Sequence, residues 1–359
     1  MVRNEKHMKL FIPGPTEIRG EVLDAQSQWM VGHRGKEFSE LYGGILEKLR
    51  RFLETKDHVC VHTVSGSGLM EAAIRNGVEK KVLCCVNGAF SQRWAGIAKA
   101  CGKEVDTLEF EWGKGVREEP LKEKLEGGEY EAVTIVQNET STGVRAKLED
   151  LSPIVREHGA LLLVDAVSSL GGDRIDTDLA DFMLTSSQKC FAIPPGLAMC
   201  TINDGILEKS RGMKDKGSYF DLVKLVEYAD TKKQTPETPA ISLMRALDVE
   251  LDYMLREGRE GRYRRHVAMA EHIQGWAEDN FALFAEKGYE SVTVTCVTNT
   301  RGINVSDLNK RLAERDMVIS NGYGKLKEKT FRIAHMGDLT LEDVRGLTDT
   351  IDDMLVVGA

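Results

Sequence analysis

The chain has 359 residues, enough for one large and one small domain with a sizeable buried core. Its 48 basic and 57 acidic residues give a net charge of −9, which disfavours nucleic acid or an anionic membrane as a partner. The first nine residues are mostly polar and no apolar run approaches membrane-spanning length, so we expect a cytoplasmic protein without a leader or an anchor.

The seven cysteines are odd in number and irregularly spaced, and two of them, Cys84 and Cys85, are adjacent. This arrangement suits neither a disulfide framework nor the paired spacing of a zinc site. We therefore expect reduced cysteines that mostly pack in the core, and no metal. A dense basic run at residues 259–265 fits a solvent-exposed helix face better than a nucleic-acid patch.

From residue 59 to residue 202, short β-rich segments alternate with helical stretches, which is the pattern of βα units that build a mostly parallel sheet. The seven predicted strands cover residues 59–64, 81–86, 104–110, 132–136, 160–165, 181–185 and 196–202. Helices are predicted between most of these strands, including residues 68–76, 91–100 and 148–158.

Beyond Pro239 a long helical zone reaches about residue 286, with predicted breaks at Gly258 and Gly261. Shorter elements follow, including residues 291–297 and 330–335, and then a final helix.

The elements predict an α/β fold with a large domain and a smaller α+β domain, and the absence of a long linker predicts a cleft between them. We place the large, cofactor-binding domain at residues 17–245, with a mostly parallel seven-stranded sheet between helices. The small domain covers residues 246–359, and the N-terminal segment 1–16 is expected near the active site.

Asp165 ends the apolar run 160–164, which is typical of a buried parallel strand. Because α/β sheets bind ligands at the carboxyl ends of such strands, Asp165 is predicted to face a crevice, although it could equally cap the next segment. Lys189 follows a second apolar segment and precedes the turn at residues 194–196, so a well-fixed loop carries it. A carboxylate that can hold a pyridinium and an amine that can condense with an aldehyde are the groups that pyridoxal phosphate chemistry needs.

Small residues at positions 65–67 lie between a predicted strand and a helix, where free backbone N–H groups can bind a phosphate, although ordinary Gly/Ser turns are also common there. Thr140 follows another strand and offers a hydroxyl to a cofactor oxygen, and Phe90 could stack on a planar ring or simply pack in the core. Arg332 lies in an apolar β-like segment, so it must be edge-exposed, paired or functional, and its guanidinium suits a carboxylate.

Together these segments resemble the class V aminotransferases of the fold type I pyridoxal phosphate superfamily, over nearly the whole chain. The similarity is strongest to the branch that holds alanine:glyoxylate, serine:pyruvate and archaeal aspartate or phosphoserine aminotransferases. The motifs occur in family order at residues 12–16 (IPGPT), 32–34 (GHR), 138–143 (NETSTG), 164–172 (VDAVSSLGG), 187–189 (SQK), 194–197 (PPGL), 234–239 (QTPETP) and 332–337 (RIAHMG).

The resemblance implies that Lys189 holds pyridoxal 5'-phosphate covalently and that Asp165 partners its pyridine nitrogen. Phe90 is implied to stack on the cofactor ring and Thr140 to bond its ring oxygen. Phosphate-binding positions are implied at Ser65, Gly66, Ser67 and Gln188. Substrate-binding positions are implied at Arg332, for the α-carboxylate, and at Gly14, His33 and Arg34. His33 and Arg34 could reach a distal carboxylate or phosphate, or could instead form a structural pair.

The resemblance further implies a homodimer with shared active sites, in which Thr235 and Thr238 complete the phosphate site of the neighbouring subunit. The implied activity moves an amino group from a small amino acid (aspartate, phosphoserine, serine or alanine) to a 2-oxo acid (2-oxoglutarate, pyruvate or glyoxylate). A lyase of the cysteine desulfurase type is an alternative, disfavoured because Gln188 precedes the lysine and Cys296 lies in a strand-like segment. A non-catalytic, cofactor-binding regulatory protein is a second alternative.

Overall fold

The computed structural model describes residues 7–357, so residues 1–6 of the predicted N-terminal segment and residues 358–359 of the predicted small domain lie outside the described residues. The strands in the described range are β1 (Lys9–Phe11), β2 (His58–His62), β3 (Lys81–Val86), β4 (Glu104–Glu109), β5 (Ala132–Val136), β6 (Asn138–Glu139), β7 (Val144–Arg145), β8 (Leu161–Asp165), β9 (Phe182–Ser186), β10 (Ala198–Ile202), β11 (Ala282–Leu283), β12 (Val294–Thr298), β13 (Met317–Asn321) and β14 (Thr330–Ala334). The α-helices in the same range are α1 (Gly20–Ala25), α2 (Lys36–Leu53), α3 (Gly66–Gly77), α4 (Ala89–Ala100), α5 (Glu118–Glu126), α6 (Leu148–Glu157), α7 (Asp204–Gly212), α8 (Leu222–Glu227), α9 (Ile241–Glu257), α10 (Arg259–Asn280), α11 (Val305–Ala313) and α12 (Leu341–Val357).

Seven strands form the larger sheet, in the order β2-β10-β9-β8-β5-β3-β4. Strand β10 is antiparallel to both neighbours, and the other adjacent pairs are parallel. The predicted α/β fold with a mostly parallel seven-stranded sheet is therefore confirmed. Because β2, β3, β5, β8 and β9 run in the same direction, the loops that follow them meet at one edge of the sheet.

Helices cover the larger sheet, and its central strands β5 and β9 are buried along their whole length. The hydrophobic core around it includes Trp94, Tyr42 and Phe182, all fully buried. Burial on both faces explains why these strands appear in the sequence as continuous apolar runs rather than as alternating patterns.

The smaller sheet has the order β1-β13-β14-β12-β11 and its own hydrophobic core, which includes Phe11, Ile273 and Phe331. The sequence predicted β12 and β14 but not the short strands β1, β11 and β13. Strand β1 is parallel to β13, with Lys9 opposite Met317, so the N-terminal segment joins a sheet built from the end of the chain. Helix α9 crosses residue 245, and the division at residues 245 and 246 stays a prediction.

The long helical zone divides into α9 and α10 at Gly258, which has a φ of +75° that favours glycine. The predicted break at Gly258 is thus confirmed. The predicted break at Gly261 is wrong, because this residue lies inside α10, in its first turn. An isolated glycine weakens a helix by only about 1 kcal/mol, so packing can carry the helix through it.

The predicted solvent-exposed face of the basic run at residues 259–265 is wrong for Arg262, which is fully buried. Its guanidinium lies 3.5 Å from Glu250 and donates to the carbonyl oxygens of Gly171 (2.9 Å) and Cys190 (2.6 Å). Cys190 directly follows Lys189, so this arginine fixes the loop that carries the lysine. Charge patterning could not identify it, because the buried carboxylate that accepts it comes from a different helix.

Six of the seven cysteines are buried and Cys101 is partly exposed, and all seven are free. The predicted packing of cysteines in the core is thus confirmed for six of them. No helix between residues 7 and 357 is both long and apolar enough to cross a membrane.

Candidate functional site

A cavity of about 230 Å³ opens at the sheet edge where the parallel strands end. Eight residues predicted to bind a cofactor line it, namely Ser65, Gly66, Ser67, Phe90, Thr140, Asp165, Gln188 and Lys189. Six further residues that the sequence analysis did not single out line the same cavity, namely Met70, Arg93, Asn138, Val167, Ser168 and Ser186. Segments that are far apart in the chain therefore meet at this cavity, because the parallel strands that precede them end at the same edge of the sheet.

Lys189 follows β9 and lies against the N-terminal segment, where its Nζ donates to the carbonyl oxygen of Pro13. Burial lowers the pKa of Lys189 to about 8, and the positive charge of Arg332 acts in the same direction. A larger fraction of this amine is therefore neutral, and hence nucleophilic, near neutral pH than for an exposed lysine.

Gly14 contacts the same lysine, since a Cβ atom at this position would lie 2.7 Å from the Lys189 Nζ. Gly14 also has a φ of +93°, which side chains rarely adopt. Both observations require glycine here. The described part of the N-terminal segment therefore lies against Lys189, and its place near an active site stays a prediction.

Asp165 is the last residue of β8 and is only 3% exposed. Burial raises the pKa of its carboxyl to about 7, although the Val167 N–H, which donates to Oδ1 at 2.7 Å, opposes the shift. Because this carboxylate is buried and accepts one backbone hydrogen bond, a cationic group inside the cavity would stabilise its ionised form. The alternative of a cap for the following segment accounts for the Val167 bond but not for the cavity-facing position.

A chain of polar groups joins β6 to the loop after β8. Thr140 Oγ1 donates to Ser168 Oγ at 2.8 Å, and Ser168 Oγ donates to the carbonyl oxygen of Asn138 at 3.0 Å. The side-chain oxygens Asn138 Oδ1 and Ser186 Oγ are buried without a hydrogen-bond partner among residues 7–357. Because unpaired buried polar atoms are costly, these two oxygens beside the cavity fit a polar ligand.

Ser65 precedes the first residue of α3, and Gly66 and Ser67 form its first turn. Within that turn, Gly68 N–H bonds the Ser65 carbonyl oxygen, while the amides of residues 66 and 67 are not used by the helix. A Cβ atom on Gly66 would lie 2.6 Å from Ser186 Oγ, so glycine permits the close approach of this helix to β9. Free amides at a helix N-terminus that opens into a cavity fit an anion such as a phosphate.

Phe90 is held in place by a buried carboxylate at the N-terminus of α4. Glu139, which is fully buried, accepts hydrogen bonds from the backbone N–H groups of Phe90 (3.1 Å) and Ser91 (2.9 Å). It therefore caps this helix from a different part of the chain. Gly88 packs against it, since a Cβ atom there would lie 2.3 Å from Glu139 Cγ.

Gly88→Ala is expected to destabilise the protein by about 1–3 kcal/mol, because the added methyl group must displace Glu139 from its cap. The free energy of unfolding in urea measures this effect. Gly96→Ala is the matched control: it lies in the same helix with no atom within 4 Å of its ideal Cβ, so it is expected to stabilise by about 0.5–1 kcal/mol. If Gly88→Ala were as stable as the wild type, the Glu139 carboxylate could shift to make room for the methyl group and still cap α4.

Arg332 is carried by β14, the middle strand of the smaller sheet, and is 8% exposed. Its guanidinium donates to the carbonyl oxygens of Asn321 (3.2 Å) and Thr140 (3.4 Å), and within residues 7–357 it makes no ion pair with a carboxylate. Burial lowers the pKa of Arg332. The sequence left three possibilities open for Arg332, namely edge exposure, an ion pair or a function. In the described structure Arg332 is neither exposed at an edge nor paired with a carboxylate.

Six predicted site residues do not line this cavity. Two of them, Gly14 and Arg332, contact the lining residues Lys189 and Thr140, and the other four lie elsewhere. Arg34 donates to the backbone carbonyl oxygens of Thr235 and Pro236, at 2.5 Å for Pro236, and so joins two loops. Thr235 and Thr238 line a separate small pocket, and His33 is half-buried outside the cavity lining.

Two of the cavity residues that the sequence analysis missed could have been found from their spacing to predicted site residues. Arg93 comes three residues after Phe90, which places both on one helix face, and Ser168 comes three residues after Asp165 in the turn beyond β8. Within the described residues, no cluster of three or more His, Cys, Asp or Glu side chains could hold a metal ion.

A profile of the family described as Aminotransferase class-V matches residues 10–335. An uncharacterized aminotransferase of Methanocaldococcus jannaschii is 40% identical over 336 residues, which cover 91% of this chain and 87% of that protein. The L-aspartate–glyoxylate aminotransferase of Paracoccus denitrificans is 32% identical over 349 residues, covering 92% and 87%. A crystal structure of alanine–glyoxylate aminotransferase from Nostoc sp. superposes with a TM-score of 0.93 at 31% identity, covering 99% of this chain and 97% of that one.

Proposed function

Because the chain belongs to the class-V aminotransferase family, we propose that it uses pyridoxal 5'-phosphate to move an amino group from a small amino acid to a 2-oxo acid. The candidate donors are aspartate, phosphoserine, serine and alanine, and the candidate acceptors are 2-oxoglutarate, pyruvate and glyoxylate. The observation that carries the proposal is the convergence of Lys189, Asp165 and the N-terminus of α3 on one cavity.

When bound, the cofactor supplies an aldehyde and an electron-accepting pyridinium ring. The Lys189 amine, with its lowered pKa, would anchor the aldehyde and, once displaced by the amino substrate, would accept the Cα proton and return it. The Asp165 carboxylate would hold a proton at the ring nitrogen, and the polar chain through Thr140 would bond the ring oxygen.

The remaining cofactor positions follow the cavity lining. Phe90 would stack on the ring, held in place by the Glu139 cap, and the free amides and hydroxyls of Ser65, Gly66 and Ser67 would bind the phosphate together with Gln188. Each of these assignments is part of the proposal.

Arg332 would bind the substrate α-carboxylate, because its guanidinium has no carboxylate partner within residues 7–357 and contacts the Thr140 backbone beside the cavity. Arg332→Ala is therefore expected to raise the KM for amino donors about 100-fold, with a smaller loss in kcat. Steady-state kinetics would measure both constants. The absorbance of the bound cofactor is the control and should stay unchanged; unaltered kinetics would remove Arg332 from the site.

We further propose a homodimer with shared active sites. Thr235 and Thr238 do not line the cavity of their own subunit, which is consistent with a contribution to the phosphate site of the partner. Trp29, which is 92% exposed near the Arg34 loop, offers apolar surface for such a contact. The free, mostly buried cysteines favour a reducing compartment, so we propose the cytoplasm.

A lyase with a mobile catalytic cysteine has less support. Burial raises the pKa of Cys190 to about 12 and that of Cys296 to about 11, and both thiols are fully enclosed. Such thiols are poor nucleophiles, because the thiolate is the reactive form. A non-catalytic role has no feature in its favour, since the lysine and the aspartate share the cavity.

The absorbance spectrum of the purified protein tests the proposal. We expect a visible band from the lysine-bound cofactor that a suitable donor converts to the amine form of the cofactor. Alanine, serine, aspartate and phosphoserine are added one at a time to name the donor. No band after adding pyridoxal phosphate would refute the cofactor assignment, and a band that reacts with no donor would refute the transamination of these four amino acids.

A further inference from the structure

Two arginines without carboxylate partners lie on either side of Tyr323. Arg93 comes from α4 and lines the cavity, whereas Arg332 and Tyr323 come from β14 and from the loop before it. In the part of the chain that the structure describes, neither guanidinium makes an ion pair with a carboxylate. Two unpaired cations this close repel each other unless anions bind between or beside them.

Arg93 is exposed and is held by aromatic groups rather than by acids. Its guanidinium carbon lies 4.7 Å from the centre of the Phe90 ring, and Nη2 donates to the Tyr323 hydroxyl at 3.3 Å. These contacts leave most of its N–H groups free. The guanidinium is therefore oriented beside the proposed cofactor ring but is not neutralised.

Tyr323 contacts both arginines. Its ring centre lies 5.4 Å from the guanidinium carbon of Arg332 and 5.5 Å from the centre of the Phe90 ring. One tyrosine side chain thus separates the two cations. A dicarboxylate bound beside this ring would bring one carboxylate to each guanidinium.

We propose that Arg93 and the Tyr323 hydroxyl form a second anion subsite, which selects amino acids and oxo acids that carry a distal carboxylate, aspartate being the reference case. The inference rests on the proposed function, in which Arg332 takes the α-carboxylate. The distal carboxylate is thereby assigned to Arg93 and Tyr323 in place of His33 and Arg34. The Arg34 guanidinium already donates a hydrogen bond to the Thr235 carbonyl oxygen.

The test compares kcat/KM for aspartate and alanine in the wild type and in Arg93→Met. We expect the aspartate value to fall about ten- to a hundredfold and the alanine value to change less than about threefold, because only aspartate brings an anion to this position. Tyr323→Phe, which keeps the ring, should show a smaller loss of the same selectivity. Arg93→Lys, which keeps the charge but not the planar fork, should lie between wild type and Arg93→Met.

Arg256→Met is the matched control, because Arg256 is also exposed and lies 4.6 Å over a tyrosine ring, that of Tyr253, outside the cavity lining. It should leave both kinetic values unchanged. Equal losses for aspartate and alanine in Arg93→Met, or no loss for either, would overturn the subsite. If Arg93→Met does not fold, Arg93→Lys and Tyr323→Phe decide the same question.

Binding of succinate and propionate to the cofactor-loaded protein separates this inference from the proposed function. Succinate should bind about tenfold or more tightly than propionate in the wild type and lose that advantage in Arg93→Met. A wild type that binds both equally refutes the subsite, even if transamination occurs. A wild type that prefers succinate but transaminates none of the four candidate donors refutes the proposed function and leaves the subsite supported.

Discussion

Lys189→Ala is expected to abolish turnover, with a loss of about four orders of magnitude or more, because in the proposed function one amine both anchors the cofactor and moves the Cα proton. The loss should not come from misfolding. The Lys189 Nζ contacts the Pro13 carbonyl oxygen and takes part in no ion pair within residues 7–357, so its removal breaks no ion pair there. Single-turnover absorbance changes with a reactive donor would measure the effect.

Lys99→Ala is the control for this variant, since Lys99 is exposed at the end of α4, away from the cavity. It should keep normal kinetics. Near-normal activity of purified Lys189→Ala would refute both proposed roles of this lysine. Partial recovery on adding a small primary amine would separate the proton-transfer role from the anchoring role, since a free amine can carry a proton but cannot position the cofactor.

Asp165→Ala is expected to raise the barrier by several kcal/mol, which corresponds to a loss in kcat of about 10³-fold or more. The reason is that Asp165 lies at the end of β8, where its carboxylate would keep a proton on the ring nitrogen. Asp165→Asn should lose nearly as much activity, because the amide accepts the Val167 N–H bond but carries no charge. Kinetics of both variants with the same donor would measure the effect, and normal activity of Asp165→Asn would show that the charge is not needed.

Stability measurements on the cofactor-free protein complete this test. The pKa of Asp165 is raised to about 7, so the folded state disfavours the ionised form. At a pH below the pKa of Asp165 in the unfolded chain, the raised pKa does not change the free energy of unfolding. As the pH rises toward 7 the folded state loses stability, and above pH 7 this loss is complete. Cofactor-free Asp165→Asn is therefore expected to be at least as stable as the wild type above pH 7. A markedly less stable variant would mean that activity lost in it cannot be assigned to the missing charge.

The sequence was most informative where strand direction alone determines position. Asp165 ends β8 and Lys189 follows the neighbouring parallel strand β9. Because the carboxyl ends of parallel strands share one edge of a sheet, this rule alone brings the two residues to one cavity. Arg93 was missed because helix periodicity places it beside Phe90 only once the start of α4 is known. Arg262 was missed because its burial depends on Glu250, whose position follows from packing between helices and not from local sequence.

The pairing of β1 with β13 has a consequence for synthesis on the ribosome. Lys9 is synthesised long before its neighbour Met317, since the two residues are far apart in the sequence. Contacts of such high sequence separation form late, so the N-terminal segment that places Gly14 against Lys189 can settle only after the larger sheet exists. A nascent or truncated chain that lacks β13 would therefore have an uncovered lysine, and catalytic competence would be gained only after this strand has been made.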